Sequence, residues 1–207
     1  KGQIANIYRK PWDGSGEEDR LTTSTNPQVP MKFAPDGKTL SYNENGDIWM
    51  LSLDSSGAGG HAKPYPFIQS PALEYGGTFS ADGRWLTYSS NESGKFEVYV
   101  VGFPKRQGKW QISNGGGTGG GFSRDGKELF YGNGGTLMMV DVHAGTSFDF
   151  SAPRKVCTIS PNVQPSDISL DGTKFLSLIN HAKQDTVSHL AVVTEWFSVV
   201  KSKFSGN

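Results

Sequence analysis

Four Asp-Gly turns recur in phase along this chain of 207 residues: Phe33-Ala-Pro-Asp-Gly37, Phe79-Ser-Ala-Asp-Gly83, Phe122-Ser-Arg-Asp-Gly126 and Ile168-Ser-Leu-Asp-Gly172. Their aspartates, at 36, 82, 125 and 171, are separated by 46, 43 and 46 residues. Asp-Gly suits a tight hairpin because glycine reaches positive φ without steric cost and aspartate bonds its own turn backbone. One such dipeptide is commonplace. Four at a period of about 45 residues mean that a single supersecondary unit is repeated.

Each turn leads into an alternating stretch, at Thr39–Tyr42, Trp85–Tyr88, Glu128–Tyr131 and Lys174–Ser177. Leu40, Leu86, Leu129 and Phe175 share one side of the pleat with Tyr42, Tyr88, Tyr131 and Ser177, and a period of two means strand. After a polar loop comes a third, apolar strand, at Asp47–Leu51, Phe96–Val100, Leu137–Val140 and His189–Val193. A fourth closes the unit at Tyr65–Ile68, Trp110–Ser113 and Lys155–Ile159. Four strands in about 45 residues make one blade of a β-propeller. Phe33, Phe79, Phe122 and Ile168 are then expected on the inner strands.

The repeat begins out of phase. Ile4–Tyr8 reads as a third strand and Arg20–Thr23 as a fourth, with no first or second before them. Residues 1–25 are therefore expected to form the outer half of a blade, followed by whole blades at 26–70, 71–114 and 115–160, an incomplete blade at 161–197 and a tail at 198–207. The expectation is an all-β chain of seventeen strands, about two-thirds of the twenty-four in a six-bladed ring. Helix is expected only as a short piece after Glu195. Such a ring is either open, with strand edges exposed to self-association, or closed by further polypeptide, and the Lys1-Gly2 start reads as part of a longer product.

The Pro-Asp-Gly-Lys turn, the stretch Lys109-Trp-Gln-Ile-Ser-Asn-Gly-Gly-Gly117, then Phe122–Tyr131 with Leu137–Val140, and the ending Val193-Thr-Glu-Trp-Phe197, resemble TolB-like, WD-like propeller repeats. More narrowly, they are similar to the C-terminal propeller regions of bacterial, acidobacterial-type serine/threonine kinases and related surface proteins. The resemblance implies a binding propeller of periplasmic or extracytoplasmic location. At Gly119-Gly-Gly-Phe122 the chain departs from the polar pair and aromatic that the resemblance leads one to expect before the third turn.

Composition agrees with many short strands and tight turns: 27 glycines, 11 prolines and 12% aromatic residues, against a glycine average of roughly 7%. Twenty basic residues balance twenty acidic ones without a long run of either sign, which speaks against nucleic acid as a partner. No apolar stretch approaches the roughly 20 residues of a membrane-spanning helix, so this segment is not expected to insert in a membrane. The lone Cys157 excludes an internal disulfide and a thiolate zinc cluster; in an outer strand it reads as a small buried hydrophobe.

Catalytic patterns are wanting, and the expectation is a protein that is not an enzyme and carries no metal or cofactor. Neither a Gly-x-Ser-x-Gly elbow nor a His-Glu-x-x-His pair occurs. His181, Asp185 and Ser188 have the residue types of a triad, yet a loop of solvated polar residues accounts for them. His61, His143 and His189 lack ligand spacing. The Asp13–Asp19 loop reads as a solvated hairpin tip rather than a calcium loop. The run Gly115–Gly121 offers bare amides that cradle phosphate in other folds, but it leads into a strand, not a helix, and reads as the crossing from one blade to the next. Of Trp12, Trp49, Trp85, Trp110 and Trp196, most are expected between blades, with Trp85 the best candidate for ligand contact.

In a propeller the loops from second to third strand and from blade to blade emerge on one face, where binding residues gather. Those loops carry Asn43, Glu44 and Asn45, then Asn91 and Glu92, Asn133, and Asn180, His181 and Lys183, with Gln28, Tyr75 and Gln164 on the crossings. Amides, carboxylates and one imidazole suit directional hydrogen bonds to a protein, peptide or glycan better than a polyanion. The favoured function is a sensor or scaffold propeller. The alternatives are the accessory propeller of a prolyl oligopeptidase-type hydrolase, and a lyase or hydrolase with its site in the propeller funnel.

Overall fold

The computed structural model describes residues 4–53, 63–159, 163–168 and 175–179, which are strand, turn and loop throughout. β1 (Tyr8–Arg9) and β2 (Asp19–Arg20) make a two-stranded hairpin. Three four-stranded antiparallel sheets follow in chain order. The first holds β3 (Gln28–Phe33), β4 (Thr39–Glu44), β5 (Asp47–Ser52) and β6 (Lys63–Ile68). The second holds β7 (Glu74–Phe79), β8 (Trp85–Ser90), β9 (Glu97–Gly102) and β10 (Lys109–Gln111). The third holds β11 (Thr118–Phe122), β12 (Glu128–Asn133), β13 (Thr136–Asp141) and β14 (Arg154–Thr158). β15 (Val163–Ile168) and β16 (Phe175–Ile179) form a last antiparallel pair.

The turn chemistry explains the repeat. In the three Asp-Gly turns among the described residues, Gly37, Gly83 and Gly126 have φ of 67°, 70° and 71°. Each donates its N–H to a carbonyl three residues back, on Ala34, Ser80 and Ser123. Oδ1 of Asp36, Asp82 and Asp125 then accepts the N–H of the second residue on, at 2.8, 3.1 and 3.1 Å. Aspartate and glycine thus supply the two things the turn needs, an acceptor and a positive φ. Burial pushes the Asp82 carboxyl up, but hydrogen bonds from Ser80 and from the backbone and side chain of Arg84 outweigh it and hold the carboxyl below its usual range.

The second sheet packs one face on the blade before it and the other on the blade after it. Ile48, Met50 and Phe67 meet Phe79, Leu86, Tyr88, Tyr99 and Val101 in one core. Trp85, Val98, Val100 and Ile112 meet Leu129, Tyr131, Val140, Val142 and Phe148 in the next. That is why β8 and β9 are buried along their whole length, as strands covered on both faces must be. The inner strand of the next blade approaches very closely: a β-carbon on Gly120 would stand 2.4 Å from Thr87 Oγ1 and 2.7 Å from Val98 Cγ1. Gly120 is what that approach requires.

Among the described residues the blade before β3 has only its hairpin, and the difference shows on β3. Phe79 is 8% exposed beneath the preceding blade, whereas Phe33 in the same position is 60% exposed. Pro30, paired with Tyr42 as Phe33 is with Leu40, shares that open face, and a cavity of about 400 Å³ lies beside it, lined by Ile7, Leu21, Pro30, Phe33, Leu40 and Leu53 among others.

Several expectations are corrected. The first two strands are shorter and nearer the hairpin tip than Ile4–Tyr8 and Arg20–Thr23, because Thr22 Oγ1 takes the Ile7 N–H that a backbone carbonyl would otherwise accept. The strand expected at Trp110–Ser113 ends at Gln111 for the same reason, Ser113 Oγ accepting the Val98 N–H. Trp85 is no ligand contact: it is buried against Trp110 and Phe148. Cys157 is exposed, since β14 is the outermost strand of its sheet and every residue in it faces solvent. Trp12, at the hairpin tip, is 99% exposed instead of packed between blades.

Candidate functional site

The loops and crossings interlock on one face, as the topology demands. The crossing residue Leu73 donates its N–H to Asn91 Oδ1 at 2.8 Å and accepts the Asn91 N–H at 3.2 Å, while the Glu74 N–H reaches the Gly46 carbonyl at 2.6 Å. One crossing therefore touches the second-to-third-strand loops of two blades. The same arrangement recurs where the Gly117 N–H meets the Phe96 carbonyl at 2.9 Å.

Several of the predicted residues serve as joints. Asn43 Nδ2 donates to the Gly76 carbonyl at 3.2 Å and Oδ1 accepts the Gly76 N–H at 3.1 Å, a two-point clamp on the next blade. Glu44 is buried and accepts from Gln28 Nε2 at 2.7 Å, from Asn26 at 3.4 Å and from the Ser24 hydroxyl. Gln28 is thereby engaged as well, and Asn91 fixes the crossing at Leu73.

Others face outward. Tyr75 is half exposed, its ring 5.7 Å from that of Phe96. Glu92 is exposed and paired with Lys109, whose ammonium sits 4.7 Å from the Tyr99 ring centroid. Asn45 is exposed with φ of 54°, the left-handed turn conformation that asparagine tolerates. Asn133 is half-buried at the end of β12, its Oδ1 3.2 Å from where a β-carbon on Gly116 would be. Gln164 lies on β15 opposite Leu178. Asn180, His181 and Lys183 lie outside the described residues, as do Asp185, Ser188, His61, His189 and Trp196.

The same face holds a set of buried acidic groups that the loop inventory passed over: Asp47, Glu74 and Glu97. Each stands at a strand start, where the blades meet. Serine hydroxyls serve the crossings in order, Ser24 to Glu44, Ser70 to Glu74 and Ser113 to Glu97. Serines 24, 70 and 113 are spaced by 46 and 43 residues, the period of the Asp-Gly turns, so the signal was present in the sequence. Burial pushes the Glu74 carboxyl up, Asp47 and Glu92 add to the rise, and Ser70 and Lys109 offset part of it.

The glycine-rich crossing is occupied from within. Glu97 Oε1 accepts the N–H groups of Gly115 at 3.0 Å and Gly116 at 2.9 Å. The amide cradle holds a carboxylate of its own chain, and phosphate has no place in it. Among the described residues no group of three or more His, Cys, Asp or Glu side chains is placed to hold a metal ion.

Neither a family model nor a curated protein matches the sequence. Solved structures do match the fold. TolB from Acinetobacter baumannii shares 18% identity with a TM-score of 0.59, the match covering 84% of this chain and 43% of that one. A candidate TolB from Agrobacterium tumefaciens shares 19% at a TM-score of 0.54, covering 67% and 53%. This is a TolB-like β-propeller fold. The chain spans about half the length of the solved propellers it matches, so it is a partial propeller. A candidate 6-phosphogluconolactonase from Bacteroides uniformis has the same architecture, at 16% identity and a TM-score of 0.55, covering 83% of this chain and 56% of its own. That likeness overturns the expectation that the chain is not an enzyme: a TolB-like propeller without hydrolase motifs is compatible with catalysis.

Proposed function

We propose that this chain is the recognition part of a longer bacterial protein, a propeller that binds a peptide or protein partner on its loop face, outside the cytoplasm. The observation that carries the reading is the exposed ring of Tyr75 against Phe96, next to the 43% exposed Leu73 and the outward Glu92. An aromatic held in place by a neighbouring ring gives large contact area at small entropic cost. The clamps of Asn43 and Asn91 fix the backbone on which it stands, so the surface is organised before a partner arrives.

The test is a selection of binders from a random peptide library displayed on phage, followed by affinity measurement on variants. Tyr75→Ala and Asn133→Ala on the loop face should each weaken the selected peptides roughly tenfold, about 1.4 kcal/mol. Lys127→Ala, on the Asp-Gly face, should leave them unchanged. Peptides that ignore both loop-face changes and respond to Lys127→Ala would place the site on the opposite face. A chain that selects no peptide but retains oligosaccharides on a glycan array would have a glycan as its ligand.

A further inference from the structure

Glu74 is 1% exposed, and its two carboxylate oxygens have unequal surroundings. Oε1 accepts the Ser70 hydroxyl, whereas Oε2 is buried with no hydrogen-bond partner. Folded proteins leave few buried polar atoms in that state, because an acceptor stripped of water and given no donor is costly. The neighbouring charges put that oxygen in a field of one sign. Asp47 is 8% exposed and receives a neutral amide, Gln69 Nε2, at 3.0 Å. Asp47 and Glu92 both act on Glu74 as negative charges, with Lys109 as a partial counterweight.

We propose that Glu74, with Asp47 and Glu92 beside it, is an acceptor site for an organic cation, the ammonium or guanidinium head of a lysine or arginine presented by a peptide; this rests on the loop-face reading above. Three carboxylates against one ammonium leave the cluster short of positive charge. A metal ion is the weaker fit, since no set of three ligands is placed to hold one among the described residues. Lys109 shows how a cationic head is received: its Nζ bonds both oxygens of Glu92 and lies over the Tyr99 ring, a carboxylate and a π-face acting together. Its side chain is 43% exposed, so the Glu92–Lys109 pair is held weakly and yields to an incoming cation. Glu74 Oε2 then gains a donor, while the apolar part of the peptide lies on Leu73 and Tyr75. Binding of a positive charge also favours the ionised form of Glu74.

The experiment is a titration of isotope-labelled chain followed by NMR, with N-acetyl-lysine methylamide and N-acetyl-arginine methylamide as probes, N-acetyl-norleucine methylamide as the uncharged control and calcium chloride as a separate arm. Saturable shifts of the Glu74 side-chain carboxyl resonance with both cationic probes and none with the control are expected, lost in Glu74→Gln. Lys109→Met removes the internal competitor and should tighten the apparent Kd of the probes. The proposal is overturned by an unmoved Glu74 signal, which would mean that a trapped water satisfies Oε2. It is also overturned by shifts that survive in Glu74→Gln, by weaker binding in Lys109→Met, or by calcium acting where the organic cations do not. Probe-induced shifts at Tyr75 or Asn133 without any at Glu74 would overturn this site and leave the loop-face reading intact.

Discussion

Asn43 and Asn45 are two residues apart and chemically identical, yet one is a joint and the other faces solvent. Asn43→Ala removes both hydrogen bonds to the Gly76 backbone and should destabilise the chain by about 1–3 kcal/mol in urea unfolding. Glu92→Ala, which removes an exposed ion pair, should change stability by no more than about 1 kcal/mol. Glu74 should show itself in pH dependence. Its folded carboxyl is raised above the usual value by burial, so the folded state binds the proton more tightly than the unfolded chain does. The burden of its buried charge is present above the raised folded value and is relieved as pH falls through it. The stability difference between Glu74→Gln and the parent should therefore move in favour of the variant as pH rises through that window, as urea midpoints at a series of pH values will show. This division of labour was barely legible beforehand. A polar residue at a strand end looks the same in sequence whether it meets water or the backbone of the next blade, and only the in-phase serines at 24, 70 and 113 marked the crossings as polar joints.

At the scale of elements, the Asp-Gly turns and the two-residue alternation were enough to phase the described blades, because both are local and repeat. Strand ends were misjudged where a side chain replaced a carbonyl, at Thr22 and at Ser113, since substitution of that kind depends on a contact and not on a period. Gly120 separates local from tertiary constraint. Its φ is not left-handed, so the backbone would accept alanine, but a β-carbon there would strike Thr87 and Val98 across the blade interface. Gly120→Ala should cost about 1–3 kcal/mol by overpacking, whereas Gly121→Ala, with nothing within 4 Å, should be close to neutral in the same denaturation assay.

At the scale of the whole molecule, the open face of β3 is the least settled surface among the described residues. Phe33 is 60% exposed and lines an apolar cavity, and exposed apolar surface of this kind drives association. The isolated chain should elute from a sizing column as concentration-dependent oligomers, and Phe33→Ser should shift it toward the monomer without altering its far-ultraviolet circular dichroism. Elsewhere the blades are joined differently. Asn43 addresses the main chain of Gly76 and ignores every side chain on the neighbouring strand, so a blade qualifies as a neighbour by offering bare peptide at the right height. Joints of that kind make the repeats interchangeable parts: whole blades can be duplicated, deleted or traded between chains, and each can acquire a new outer loop while the couplings between them keep their original fit.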